Sequence, residues 1–252
     1  MEDNNSIGPY DSSVLHLQAS HRSELVWQTG YIDPSHYRRR EATISRVTRP
    51  DPRIDPYLRQ IGFYGVSRLN FIQLDCHLIT ALVERWRQET HTFHLSHGEC
   101  TVTLPDFAIK FELPIDRKAL IGSFQHTWRD VCTELIGVTP GERDLVGDRL
   151  SLPWLANQFD DFAHLPDDVD DVALQRYASA YILTIIRGIV FSDRLNSRVH
   201  LMYLPLLADF GIAEQYSWGA SCLAWLYRQL CKAVAIDAQD IAGPVILLQI
   251  WA

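Results

Sequence analysis

The run Tyr177–Phe191, YASAYILTIIRGIVF, sets the strongest constraint on how this chain can fold. Wound at the helical period, it puts apolar or small side chains on nearly every side and leaves no polar face for water. Such a helix is either a membrane span or the buried centre of a globular core. The run is too short to cross a bilayer, which takes about 20 apolar residues, and it contains Arg187. The reading is therefore a buried central helix from about Val169 to Phe191.

The rest of the chain is suited to surround such a helix. Of its 252 residues, 47% are hydrophobic and seven are Trp, enough for one large, aromatic-rich core. In the stretch RLNFIQLDCHLITALVERWRQ, Ile72, Cys76, Ile79, Leu82, Val83 and Trp86 recur in steps of three or four. That period marks an amphipathic helix, with Asn70 or Asp75 as its cap. Thr103 reads as the cap of a helix over DFAIKFEL, with Pro105 in its first turn, Asp106 near the positive dipole end and Pro114 as its stop. Further helices are expected over Thr127–Ile136, ended by Gly137, and over Ser151–Phe162, with TPGERDLVGDR between them as a loop. Leu204–Phe210 reads as a short helix, Ser217 caps one running to about residue 235, and Pro244 opens the last. Seven to ten helices are expected around the 172–191 and 217–235 pair. Trp86, Trp225 and Phe191 are read as stability residues. The sequence ends in an apolar run with no polar stop, so a further segment is expected after Ala252.

HTFHLSHGEC, residues 91–100, offers zinc-ligand chemistry in His91, His94, His97 and Cys100. The same letters read as a β-hairpin, because TFHL and ECTVTL are short β-prone runs joined by Ser-His-Gly. On a strand, His91 and His94 point to opposite faces and His97 falls in the turn, so the imidazoles do not converge. The hairpin, at about residues 92–103, is the preferred reading, and no metal ligand is assigned.

Residues 1–56 read as an extended arm, broken by Pro34, Pro50, Pro52 and Pro56 and poor in apolar period. It is expected to pack on a domain over 57–252. Between Ser35 and Gln60 seven Arg face Glu41, Asp51 and Asp55, a local excess of four positive charges in a chain of net charge −8. Arg38, Arg39, Arg40, Arg46 and Arg49 are the candidate contacts for a partner or for nucleic acid. The same stretch is also suited to lie on the chain's own acidic segment, DDFAHLPDDVDD. That segment has six Asp and no EF-hand spacing, and it reads as a solvated loop leading into the central helix.

Other chemistry is absent from the sequence. There is no GxxxxGK[ST], GxGxxG, GxSxG or HExxH. Five Cys without a CxxC read as free thiols in a reducing compartment, and Cys76, Cys132, Cys222 and Cys231 have apolar neighbours typical of a core. The three Lys, Lys110, Lys118 and Lys232, have no Gly-rich phosphate cradle beside them, which counts against pyridoxal phosphate chemistry. No cofactor and no catalytic residue are assigned. The first ten residues lack the pattern of a signal peptide.

Long blocks of the chain, in order, resemble the plant mobile domain family of MAINTENANCE OF MERISTEMS and its MAIN-like relatives. They are GPYDSSVLHLQASHRSELVW, LITALVERWRQETHTFHLSHGECTVTLPDFAIKFELPID, YILTIIRGIVFSDRLNSRVHLMYLPLLADF, EQYSWGASCLAWLYRQLC and LLQIWA. Where that family tends to carry Gly-Leu-Pro-Val-Asp-Gly, this chain has Glu112, Leu113, Pro114, Ile115, Asp116 and Arg117. The resemblance implies a nuclear, non-enzymatic interaction module. It would act in transposable-element silencing, gene-expression control, genome stability and meristem maintenance. Its implied partner is a serine/threonine phosphatase of the plant phosphatase-seven type, with chromatin factors or DNA as further partners. The alternative is a nucleic-acid-binding domain of transposon origin. The expected fold is mainly α, a single helical domain with one small β-hairpin and the N-terminal arm.

Overall fold

The computed structural model describes residues 15–30, 49–69, 73–122, 126–159, 162, 165–192, 197–238 and 240–252. The fold is mainly α. Among the described residues the helices are α1 (Arg22–Thr29), α2 (Asp55–Ile61), α3 (Tyr64–Ser67), α4 (Cys76–Arg85), α5 (Leu104–Phe111) and α6 (Trp128–Leu135). They continue with α7 (Leu152–Gln158), α8 (Asp171–Ile185), α9 (Phe210–Ala213), α10 (Trp218–Ala233) and α11 (Val245–Trp251). This exceeds the expected seven to ten because α3 and α9 are single turns of four residues.

α8 is the buried centre. Asp170 caps it by accepting from the Ala173 N–H, and every side chain from Tyr177 to Ile185 is buried. It runs on into one π turn, Ile186–Val190, with no break in the chain direction. Arg187, buried there, donates from Nε to the Arg198 carbonyl at 2.9 Å. Phe162 stacks edge-on against Tyr177 and Tyr181 of α8. The Pro52–Ile54 turn and α2 also pack on α8, with Ile54, Leu58 and Ile61 fully buried.

The second organising contact is Trp86. The apolar period that predicts α4 holds from Cys76 to Arg85, with Asp75 accepting from the His77 and Leu78 N–H groups as the cap; residues 73–75 are not helical, and Asn70 and Ile72 lie outside the described residues. Trp86 then leaves the helix and enters β1 (Trp86–Arg87), which pairs with β2 (Thr92–Leu95) and through it with β3 (Gly98–Cys100). The predicted hairpin is present, but its second strand ends at Cys100 rather than residue 103, since Thr103 is already the cap of α5. In that cap, the Asp106 carboxylate accepts from the Thr103 backbone N–H and hydroxyl at 2.7 Å each. Trp86 is fully buried among Phe93 at 4.9 Å and Tyr227 at 5.1 Å, and its indole N–H reaches Cys231 Sγ. It thus ties α4, the sheet and α10 together, and Phe93 extends the contact to Trp251 of α11.

A second sheet was not expected. The stretch read as a loop holds β4 (Leu145–Val146) and β5 (Arg149–Ser151), joined by Gly147-Asp148, and β5 also pairs with β6 (Arg198–His200). The helix expected over Ser151–Phe162 is α7, capped by Ser151 and ended at Gln158.

Residues 15–30 lie against this body. The Arg22 N–H donates to the Val234 carbonyl, and the Leu17 N–H donates to Glu89 Oε1. No helix among the described residues is long and apolar enough to cross a membrane.

Candidate interaction surface

The predicted contact residues are reached only in part. Arg38, Arg39, Arg40 and Arg46 lie outside the described residues, and Arg49 is exposed just before the Pro52–Ile54 turn. Arg53, from the same basic stretch, is used within the molecule. It holds Asp51 at 2.8–3.0 Å and donates to the carbonyls of Leu165 and Pro166. It thereby pins the segment after the acidic residues 160–161, and its guanidinium holds the Asp51 carboxyl well below the usual carboxylate range. Asp167 and Asp168 are exposed, and Asp170 is spent as the α8 cap.

The histidine stretch does not assemble. His91 adopts a left-handed backbone, φ 54°, and stacks on Tyr227 at 5.4 Å. His94 faces Glu99 at 3.9 Å, and His97 meets Ser96 Oγ in the turn. No group of three or more His, Cys, Asp or Glu side chains among the described residues is arranged to hold a metal ion. Burial raises the thiol pKa values of Cys100, Cys132, Cys222 and Cys231, with Cys132 reaching about 12. Cys132 and Cys222 are buried in the core, and Cys100 and Cys231 are half-buried.

The polar surface that does converge borders the loop after α5. Lys118 and Tyr216 form a parallel bridge, in which the Lys118 N–H donates to Gln215 O and the Ser217 N–H to Lys118 O. Asp116, Arg117, Lys118, Glu214 and Gln215 line an open groove of about 690 Å³. Its cations are partly committed: Lys118 Nζ donates to Gln215 Oε1 at 2.8 Å, and Arg117 to the Glu214 carbonyl.

Beside the same loop stand α2 and α3. A Cβ at Gly62 would meet Pro114, and one at Gly65 would meet the Glu112 side chain, so the loop and the α2–α3 turn touch directly. Here Arg59 stacks on the Tyr64 ring at 3.4 Å, and Arg68 lies 5.8 Å from the same ring. Sequence reading missed this group. Tyr64 and Arg68 have the i, i+4 spacing of helix neighbours, which is a readable signal. The approach of Arg59 depends on the turn at Gly62, φ 82°, which no local pattern reveals.

Residues 62–252 match the family described as plant mobile domain. Three relatives from Arabidopsis thaliana align along nearly the whole chain. The "Serine/threonine-protein phosphatase 7 long form homolog" is 44% identical over 97% of this chain. "Protein MAIN-LIKE 2" is 36% identical over 97% and "Protein MAIN-LIKE 1" 34% identical over 98%. The chain spans 18%, 36% and 48% of the lengths of those three relatives. No solved structure matches it. With a profile match over α3 to α11 and those full-length alignments, this chain belongs to the plant mobile domain family.

Proposed function

We propose that the domain is a non-enzymatic, nuclear protein-interaction module, working in transposable-element silencing and the control of gene expression, genome stability and meristem maintenance. Its partner is a serine/threonine phosphatase of the plant phosphatase-seven type, with chromatin factors as further partners. The observation that carries this reading is the distribution of the domain among its relatives. One relative is named for a phosphatase and others for MAIN-like proteins, and this chain covers 18% of the former and 36% and 48% of the latter. A domain carried in chains of such different length and name behaves as a portable unit. Its chemistry points the same way: the thiols are shifted away from reactivity, and the polar groove is shallow with its cations turned to neighbouring carbonyls.

The test is titration calorimetry of the full chain against the purified phosphatase. A complex at micromolar concentration supports the reading, and no heat and no co-elution at tens of micromolar refute it. The alternative, DNA binding through Arg38, Arg39, Arg40, Arg46 and Arg49, predicts a salt-dependent mobility shift that disappears when Arg38 to Arg40 become Ala.

A further inference from the structure

We infer that Arg59, Tyr64 and Arg68 form the contact point for an acidic peptide segment of a partner protein; the inference deepens the docking reading above and rests on it. Arg59 and Arg68 are exposed, Tyr64 is half-buried, and neither guanidinium has a carboxylate at ion-pair distance among the described residues. Two like charges nevertheless converge on one ring. The guanidinium carbon of Arg59 sits over the ring face, a contact that restricts this exposed side chain before any ligand arrives. Among the described residues no hydrogen bond or ion pair takes up the Arg59 donors.

The spacing admits a short acidic peptide. With 3.4 Å and 5.8 Å to a shared centroid, the guanidinium carbons stand within about 9 Å of each other. Side chains two apart on an extended strand are separated by about 7 Å, so an Asp-x-Asp or Glu-x-Glu segment can place one carboxylate on each guanidinium. A nucleic-acid backbone fits less well. It is a long polyanion, whereas this site is two cations wide.

The experiment is fluorescence anisotropy of the full chain with a labelled ten-residue peptide carrying alternating Asp and Gly, at low ionic strength. A single-stranded DNA of equal charge serves as the second probe. The peptide is expected to bind wild type with micromolar affinity and to weaken by about tenfold in Arg59→Ala and in Arg68→Ala. Arg59→Lys keeps the charge but loses the planar fork, and recovers only part of that loss. Circular dichroism checks folding. Should either Ala variant unfold, Arg59→Lys and Arg68→Gln decide. No peptide binding, equal binding by the variants, or tighter Arg59-dependent binding of the DNA would each overturn the proposal. The phosphatase separates the two readings. If it binds wild type and the Arg59→Ala/Arg68→Ala double variant equally, this contact is wrong and docking stands. If it does not bind wild type, docking falls and the peptide titration alone judges the site.

Discussion

Acidifying this protein should loosen the attachment of its N-terminal segment through one histidine. His21 is buried, 4% exposed, where residues 15–30 meet α4, β1 and α10. Its Nδ1 accepts from the Ser23 N–H at 3.1 Å and lies 2.8 Å from the Ser23 hydroxyl, and its Nε2 lies 2.8 Å from the Trp86 carbonyl. This pattern assigns the neutral ring with the proton on Nε2, donating to Trp86. A second proton on Nδ1 would displace the Ser23 cap. It would also place a full charge in a buried site where Arg87 Nη1 is 3.4 Å from Nε2. Burial is the main cause that lowers the His21 pKa to about 4; the bond to Trp86 and the charge of Glu89 work against it, and Arg87 and Arg22 add to it.

The sign follows directly. The folded pKa lies below the ordinary 6.5, so the unfolded chain binds the extra proton first. Stability is intact above about pH 6.5 and is lost as pH falls toward 4. At 1.36 kcal/mol per pKa unit, the loss is about 2 kcal/mol by pH 5 and about 3 kcal/mol near pH 4. Glu84 works in the opposite direction, since burial raises its pKa, so the wild-type curve alone is not diagnostic. Urea unfolding at pH 7, 6 and 5 should therefore be run on wild type and on His21→Asn. The variant is less stable at pH 7, and the gap should narrow by about 2 kcal/mol at pH 5. Amide exchange at Arg22, whose N–H bonds Val234, tells local release of the segment from global unfolding. Parallel pH profiles for the two proteins, or a His21 resonance that titrates near 6.5 in the folded state, would refute the reasoning.

Three further perturbations test the packing. Trp86→Ala removes the group that joins α4, the first sheet and α10, and should cost about 3–5 kcal/mol in urea midpoints. Gly62→Ala puts a Cβ 2.5 Å from Pro114 Cδ at a backbone of φ 82°; about 2–4 kcal/mol of destabilisation is expected from calorimetric melting. Gly65→Ala should be costly in the native background, where a Cβ meets the Glu112 side chain at 2.9 Å, and nearly neutral in Glu112→Gly; a double-mutant cycle reads a coupling of about 1 kcal/mol, and additivity would count against the contact.

The helices were legible because their signals are local. The all-apolar run of α8, the Thr103–Asp106 box and the Asp75 cap each lie within a few residues of the element they define. The second sheet was hidden for the opposite reason. Its strands are two or three residues long, too short for alternation to show, and β5 finds β6 about fifty residues away. The Gly147-Asp148 pair is a hairpin signal, but without flanking period it reads as an ordinary loop. Trp86 was assigned to a helix by its spacing, and tertiary pairing with Phe93 moved it into a strand. The arginine pair on Tyr64 was half readable, since only Arg68, the cap residue just past the end of α3, follows from spacing.

The left-handed turn at Glu112 shows how the surroundings hold a local departure from the preferred backbone. Glu112 sits at φ 56°, a left-handed conformation that suits glycine and costs other residues about 1–2 kcal/mol. The loop keeps this shape because its neighbours fix it from three sides. Gly62 lies against Pro114, Gly65 against the Glu112 side chain, and Gly219 against Ile115 and the carbonyls of Leu113 and Pro114, all closer than a Cβ would allow. The Gly219 N–H also donates to the Pro114 carbonyl at 2.8 Å. The Glu112 side chain packs over Gly65, the residue next to Tyr64. The proposed acidic segment is expected to approach from the side of Arg59 and Arg68, away from the like charge of Glu112, so the glutamate that shapes the loop would also limit the direction of docking.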